Sequence, residues 1–199
     1  MTAGETELPA AGVEELTGPD GVARCAWGNT ASDYAEYHDT EWGVPLRGET
    51  ALFERLSLEA FQSGLSWLTI LRKREAFRSA FAGFDPGAVA AFTDDDVARL
   101  LADARIVRNR AKVHATIGNA RAIAELDTPL DDLLWSFAPD RHDRPASMAD
   151  VPAVTPESTA MAKTLKKRGF TFVGPTTCYA MMQATGMVDD HVAGCHRAV

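Results

Sequence analysis

The chain has 199 residues, 46% of them hydrophobic, which is enough for one substantial domain, or two lobes sharing a cleft, with no staple needed to bury a core. Three cysteines argue against a disulfide framework, the opening MTAGETELPAAGVEELTGPDG lacks the basic and apolar regions of a secretory signal, and no apolar run approaches the roughly 18 residues of a membrane span, so a soluble cytoplasmic protein is expected. The net charge of -8 speaks at first against a nucleic-acid partner, because phosphate binding rests on Lys and Arg.

Residues 1–21 hold much of that acidity, with Glu5, Glu7, Glu14, Glu15 and Asp20 and no base. Rich in Gly, Pro, Ala and Glu, they read as a disordered acidic tail, with the folded body over 22–199 and order beginning near Arg24. From Thr50 onward the pattern is helix after helix. Leu52 to Ser63 forms one, broken at Gly64; Ser66 to Phe81 forms the next; short segments follow at Asp85-Pro86 and at Thr93, whose Thr-x-x-Asp with Asp96 is a capping box. Lys112 to Glu125 and Leu130 to Phe137 continue the series. The proline-rich stretch 138–157 reads as a loop, and helices resume at Ser158 to Arg168, ended by Gly169, and Thr176 to Thr185, ended by Gly186. The fold class expected is all-α.

Within this pattern Glu59 is anomalous. Leu52, Leu56, Glu59, Ala60 and Ser63 share one helical face, so a carboxylate interrupts an apolar stripe, and burying it costs several kcal/mol unless a partner or ligand compensates. Trp27, Tyr34, Tyr37, Trp42 and Trp67 cluster around it in the sequence. Each alone reads as packing; together with a carboxylate they are also what a pocket for a flat cationic ring requires.

Two further groups invite a functional reading. Cys25 and His38 stand near the start of the body and His191 and Cys195 near its end, a Cys2His2 set suited to a structural zinc ion joining the two ends. Read from spacing alone, the four are equally buried free thiols and hydrogen-bonded imidazoles. His196 could replace a neighbour as ligand, while His114, His142 and Cys178 read as helix-surface, loop and core residues. Bases cluster at Arg72-Lys73-Arg74, at Arg105, Arg108, Arg110 and Lys112, and at Lys163, Lys166, Lys167 and Arg168. Such patches can hold phosphates despite a negative sum, or be solvated helix faces.

CAWG at 25–28, YAEYHDTEWGVP at 34–45, LFERLSLEAFQSGLSWLTILRKRE at 52–75, FDP at 84–86, IVRNRAK at 106–112, LKKRGFTFVGPTTCYAMMQATGMVDDH at 165–191 and Cys195 together resemble the DNA-3-methyladenine glycosylase I family of bacterial base-excision repair enzymes. The resemblance implies a helix-hairpin-helix fold of two helical lobes around a cleft, with one structural Zn2+ on Cys25, His38, His191 and Cys195 clasping the termini. It implies a monomer acting on double-stranded alkylated DNA, with 3-methyladenine as product. Trp67 would stack on the extruded base, Glu59 and Tyr37 would bind its edge, and Glu59 is the candidate catalytic residue. Gly64 and Leu65 match the position that probes the gap in the duplex. Leu101 to Lys112 would be the hairpin, with Arg105, Arg108 and Lys112 against phosphates; Arg105 stands where such hairpins often carry Gly. No Lys occupies the place of a Schiff-base lyase, so hydrolysis alone is expected. A zinc-stabilised DNA-binding module without catalysis and a catalytic-zinc hydrolase are the rival readings.

Overall fold

A computed structural model describes residues 16–197, so most of the tail expected over 1–21 lies outside the described residues. Among these residues there is no strand, only an isolated bridge between Thr17 and Ala23, and the helices follow as α1 Ser32–Thr40, α2 Glu49–Gln62, α3 Trp67–Ala80, α4 Pro86–Ala90, α5 Asp94–Ala102, α6 Arg110–Ala124, α7 Leu130–Trp135, α8 Pro156–Lys167 and α9 Pro175–Ala184. The all-α expectation is met.

Local chemistry accounts for the boundaries. Asp96 and Thr93 form the expected capping box of α5, Asp85 caps α4 ahead of Pro86, Ser66 caps α3, Asn109 caps α6 and Thr155 caps α8. Gly169 and Gly186, with φ of 88° and 71°, end α8 and α9 where the sequence places them. The stretch 138–155 is a loop with a single 3-10 turn at Met148–Asp150, and α8 begins at Pro156, two residues before the expected Ser158, because Thr155 caps it and Pro156 sits in its first turn.

Two expectations need correction. Order begins before Arg24: the Arg24 N–H donates to the Leu16 carbonyl at 2.8 Å, and Asn29 Nδ2 donates to the same oxygen at 2.7 Å. The cause is the Arg24 guanidinium, which is buried and takes both Asp20 and Asp39 as partners. An ion that leaves water needs its charge answered, and the segment carrying Asp20 is folded back to answer it. The second correction is α1, which the sequence reading passes over. Its buried face is Tyr37 and His38, so the aliphatic periodicity that marks a helix is missing.

α2 is the centre of the molecule and packs against α3, α6, α7 and α9. From Leu52 to Phe61 it is buried almost all round. Phe61, Phe77, Phe81 and Phe84 stack beside it, the Phe61 and Phe77 rings 4.6 Å apart and the Phe81 and Phe84 rings 5.4 Å apart. Each such ring contributes about 1.5–3 kcal/mol by leaving water. This position takes Glu59, one turn from the end of α2, out of solvent. No helix among the described residues is long and apolar enough to cross a membrane.

Candidate active site and metal centre

The end of α2, the start of α3, α1 and α9 enclose a cavity of about 180 Å³ lined by Trp27, Tyr34, Tyr37, Trp42, Glu59 and Trp67, with Gln62, Met148, Ala180 and Gln183 completing it. The aromatic cluster expected from the sequence is therefore a wall and not only packing. Tyr37 and Trp67 stand with ring centroids 5.5 Å apart, Trp27 and Tyr34 4.7 Å apart, and Trp27 meets Trp42 edge-on at 5.0 Å. Trp67 opens α3 directly after its Ser66 cap, which directs the indole into the cavity mouth, and the indole N–H is buried with no hydrogen-bond partner.

Glu59 is 5% exposed, and its carboxylate accepts no hydrogen bond from the described residues. Its closest compensation is Arg55, one turn earlier on α2, whose Nη1 lies 3.8 Å from Glu59 Oε1. That is an ion pair without a hydrogen bond. Burial pushes the Glu59 carboxyl up to about 7, with Arg55 pulling the other way. The Arg55 guanidinium is committed elsewhere: Nη1 donates to the Tyr37 hydroxyl at 2.9 Å, Nη2 lies 3.9 Å from Glu41, and its plane sits 4.9 Å over Trp67. Arg74 holds Glu41 in turn with two bonds. Because Arg55 donates to the Tyr37 oxygen, the phenol hydrogen is free to point into the cavity. Burial raises the Tyr37 pKa and, up to about 12, that of Tyr34, so both remain phenols at neutral pH. Arg55 was not anticipated; an arginine among apolar positions reads as a surface residue, yet its place four before Glu59 was the available signal.

Of the four candidate ligands, Cys25, His38 and Cys195 come together and His191 stands beside His38. Ligand atoms of Cys25, His38 and Cys195 lie within 4.8 Å of one another, and the His191 ring meets the His38 ring edge-on at 5.1 Å. Each imidazole is oriented from behind. His38 Nδ1 pairs with Asp39 at 2.9 Å and His191 Nδ1 with Asp189 at 2.8 Å, and those carboxylates are held by Arg24 and Arg144. Both Nε2 atoms are thus left as the ligating ends, and His191 Nε2 is buried without a partner. The Cys25 thiol and then His38 hydrogen-bond to Cys195 and hold its thiol well below the usual range. Two glycines allow the rings their seats: a Cβ at Gly43, where φ is 77°, would fall 2.6 Å from the His191 ring, and one at Gly28 3.0 Å from that of His38. Two sulfurs and two carboxylate-oriented imidazoles fit a four-coordinate N2S2 ion. His196 stands at the same place: its Nδ1 is bound to the Ala23 carbonyl at 2.9 Å, its Nε2 lies 3.5 Å from Asp39, and its ligand atom lies within 4.8 Å of those of His38 and Asp39.

Of the residues expected against nucleic acid, Gly64 and Leu65 lie in the exposed turn between α2 and α3, with Leu65 42% exposed beside a second hollow shared with Glu59, Gln62, Thr176 and Thr177. Arg105 and Arg108 are exposed in the connection from α5 to α6, Arg105 paired with Asp103. Lys112 is different. It is 6% exposed and its ammonium donates to the Phe61 and Ser63 carbonyls at 2.8 and 2.6 Å, so it ties the end of α2 and the turn before Leu65 and has no reach toward a phosphate.

A family model described as Methyladenine glycosylase matches residues 27–198. DNA-3-methyladenine glycosylase 1 of Escherichia coli strain K12 is 48% identical over 179 residues, covering 87% of this chain and 96% of that protein. A crystal structure of a 3-methyladenine DNA glycosylase I superposes with a TM-score of 0.84 at 46% identity, covering 87% of this chain and 98% of the other. A variant of 3-methyladenine DNA glycosylase I solved in complex with 3-methyladenine superposes at 0.81 with 36% identity, covering 87% and 96%.

Proposed function

The chain belongs to the methyladenine glycosylase family, and from that premise we propose how its own residues carry the reaction. It is a hydrolase of N-glycosyl bonds that releases 3-methyladenine from DNA in base-excision repair. The observation that carries the assignment is Glu59: a buried carboxylate with one incomplete partner, facing an aromatic cavity.

Methylation at N3 gives the adenine ring a positive charge and weakens its bond to deoxyribose, so much of the activation resides in the lesion. Extrusion costs a few kcal/mol of unstacking, least for a damaged base. Trp67 receives the flat cation on its face, Tyr37 meets its edge through the phenol, and Glu59 supplies the opposite charge. In the empty slot burial favours the protonated carboxyl; an arriving cation reverses that preference and draws the carboxylate into its ionised form. Neutral adenine has neither the cation-π attraction nor the charge attraction and is passed over. Water takes the place of the departing base at C1', leaving an abasic site.

Exposed Leu65, set on the Gly64 turn and held by Lys112 through the Ser63 carbonyl, fills the gap left in the stack. α5, residues 103–109 and α6 act as the helix-hairpin-helix element, offering Arg105, Arg108 and the N-terminal amides of α6 to phosphates without reading sequence. Cys25, His38, His191 and Cys195 would hold one structural Zn2+, which would clasp the first turn of the body to the last. A set of four protein ligands would leave no position for water, which supports a structural ion over the catalytic-zinc rival.

The test is base release from methylated duplex DNA by the purified protein. Free 3-methyladenine and abasic sites are expected in equal amounts; no release at any enzyme concentration refutes the assignment and favours a non-catalytic module.

A further inference from the structure

Charge cannot be the whole basis of recognition in this slot. A purine alkylated at N3 is a cation whether it is adenine or guanine, so Glu59 and the aromatic faces attract both, and any preference must come from the polarity of hydrogen-bonding groups along the base edge. One wall residue that the mechanism above leaves unused has its polarity defined by the protein. Gln183, on α9, lines the slot, and its amide Nε2 donates to Asp190 Oδ2 at 2.7 Å. The same oxygen accepts from the Tyr179 hydroxyl at 2.7 Å, and Oδ1 meets His142 Nε2 at 2.7 Å. Asp190 is buried, and burial followed by the bond to Asp190 raises the Tyr179 pKa, so the phenol stays a donor. Three donors converge on one buried carboxylate.

A carboxylate only accepts, which settles which end of the Gln183 amide faces it. The NH2 is turned to Asp190, and the carbonyl is the end left for the slot; it has no partner among the described residues. We propose that Gln183 Oε1, held in this orientation by Asp190, is a specificity-determining acceptor that takes an N–H of the six-amino group of 3-methyladenine and rejects the six-oxygen of 3-methylguanine. The inference rests on the glycosylase reading. Adenine presents two amino hydrogens at that corner, one for Glu59 and one for Gln183, while guanine presents lone pairs toward two acceptors. A site built to accept a hydrogen bond discriminates strongly against an analogue that cannot donate it. His142 and Tyr179 act through Asp190 and are positioning residues.

The experiment is single-turnover release of 3-methyladenine and 3-methylguanine from the same methylated duplex by the zinc-loaded full chain and by Gln183→Met, which keeps length and volume and removes the acceptor. Release of 3-methyladenine is expected to fall about tenfold or more, as for loss of a hydrogen bond to a charged partner, while release of 3-methylguanine holds or rises because the oxygen that repels it is gone. The ratio of the two rates therefore falls by about tenfold with the melting temperature unchanged. Asp190→Asn, which lets the amide turn over, is expected to move the ratio in the same direction with Gln183 in place. If both rates fall in parallel in Gln183→Met, or the ratio stays within about twofold, the role given to Gln183 is wrong whether or not the Asp190 variant folds. Wild-type release of 3-methyladenine with an unaltered ratio sinks this inference alone; no release by the wild type sinks the glycosylase reading as well.

Discussion

Replacing Glu59 with Gln should make the protein more stable and a poorer enzyme. Gln has the shape of a protonated Glu and carries no charge. In the folded state the carboxyl sits at about 7 against an ordinary 4.5, because burial disfavours the ion and Arg55 answers it incompletely. The folded state therefore binds this proton more tightly than the unfolded chain. Its contribution to stability is complete below the unfolded value and is lost as pH rises through about 7. At 1.36 kcal/mol per unit the full loss is about 3 kcal/mol, of which about 2.5 kcal/mol falls between about pH 5 and pH 8. Glu59→Gln lacks this loss. Urea denaturation of both proteins across that range, with equal zinc loading, should give a stability difference that grows in favour of the variant as pH rises. Other titrating groups are common to both and cancel in the difference. Release of 3-methyladenine should drop about 10- to 100-fold, the range for losing a charged hydrogen-bond partner. A difference curve that is flat from pH 5 to pH 8 would show that Glu59 is not proton-linked to folding. The argument for an uncompensated buried acid would then fail.

Lys112→Met leaves the Phe61 and Ser63 carbonyls without their donor and should cost about 2–4 kcal/mol, read by denaturation, with affinity for undamaged duplex little changed; weaker duplex binding at unaltered stability would make Lys112 a phosphate ligand after all. Leu65→Ala, at an exposed position, should alter stability by less than about 0.5 kcal/mol while slowing release from duplex much more than from single-stranded DNA; equal slowing on both would remove Leu65 from the stack. Binding to undamaged duplex should weaken steeply with added salt in spite of the acidic composition, and a flat response would leave the exposed bases as solvated faces.

How far the sequence could be read depended on what kind of signal each part carries. The long helices α2, α3, α6, α8 and α9 were legible because aliphatic spacing, caps and terminal glycines all point the same way. α1 was not, since its inward residues are a tyrosine and a histidine whose burial is decided by the slot and the metal centre and not by a local apolar stripe. Glu59 was conspicuous as a charge on an apolar face. Arg55, its neighbour, was not, because on α2 it occupies a position that would be solvent-facing in an isolated helix and is enclosed only when α1 and α3 close over it. Asp39, Asp189 and Gln183 act through side-chain bonds to His38, His191 and Asp190, one, two and seven residues away, which apolar periodicity cannot reveal. Lys112 belongs with them: a lysine in a basic run reads as a phosphate contact until the end of α2 is seen to lie within reach of its ammonium.

The slot and the cluster of Cys25, His38, His191 and Cys195 share their supports, which bears on what an ion bound there would do. On α1, adjacent residues divide the work: Tyr37 faces the base cavity and His38 the ligand cluster. At the other end, Gln183, backed by buried Asp190, belongs to the slot wall while Asp189 and His191 belong to the ligand cluster. Trp42 touches both, lining the cavity and meeting the His191 ring at 4.6 Å. A structural Zn2+ would therefore fix two opposing walls of the slot although none of its ligands touches the base. Cys195→Ala should lower zinc content and melting temperature together, and it should also weaken binding of 3-methyladenine at a temperature where the variant is still folded. The loss should appear as a lower base affinity measured by calorimetry or fluorescence of Trp27, Trp42 and Trp67, with circular dichroism retained. A variant that loses zinc and yet binds the base with the affinity of the wild type would show that the helices hold the walls unaided, and that the clasp acts on the chain ends alone.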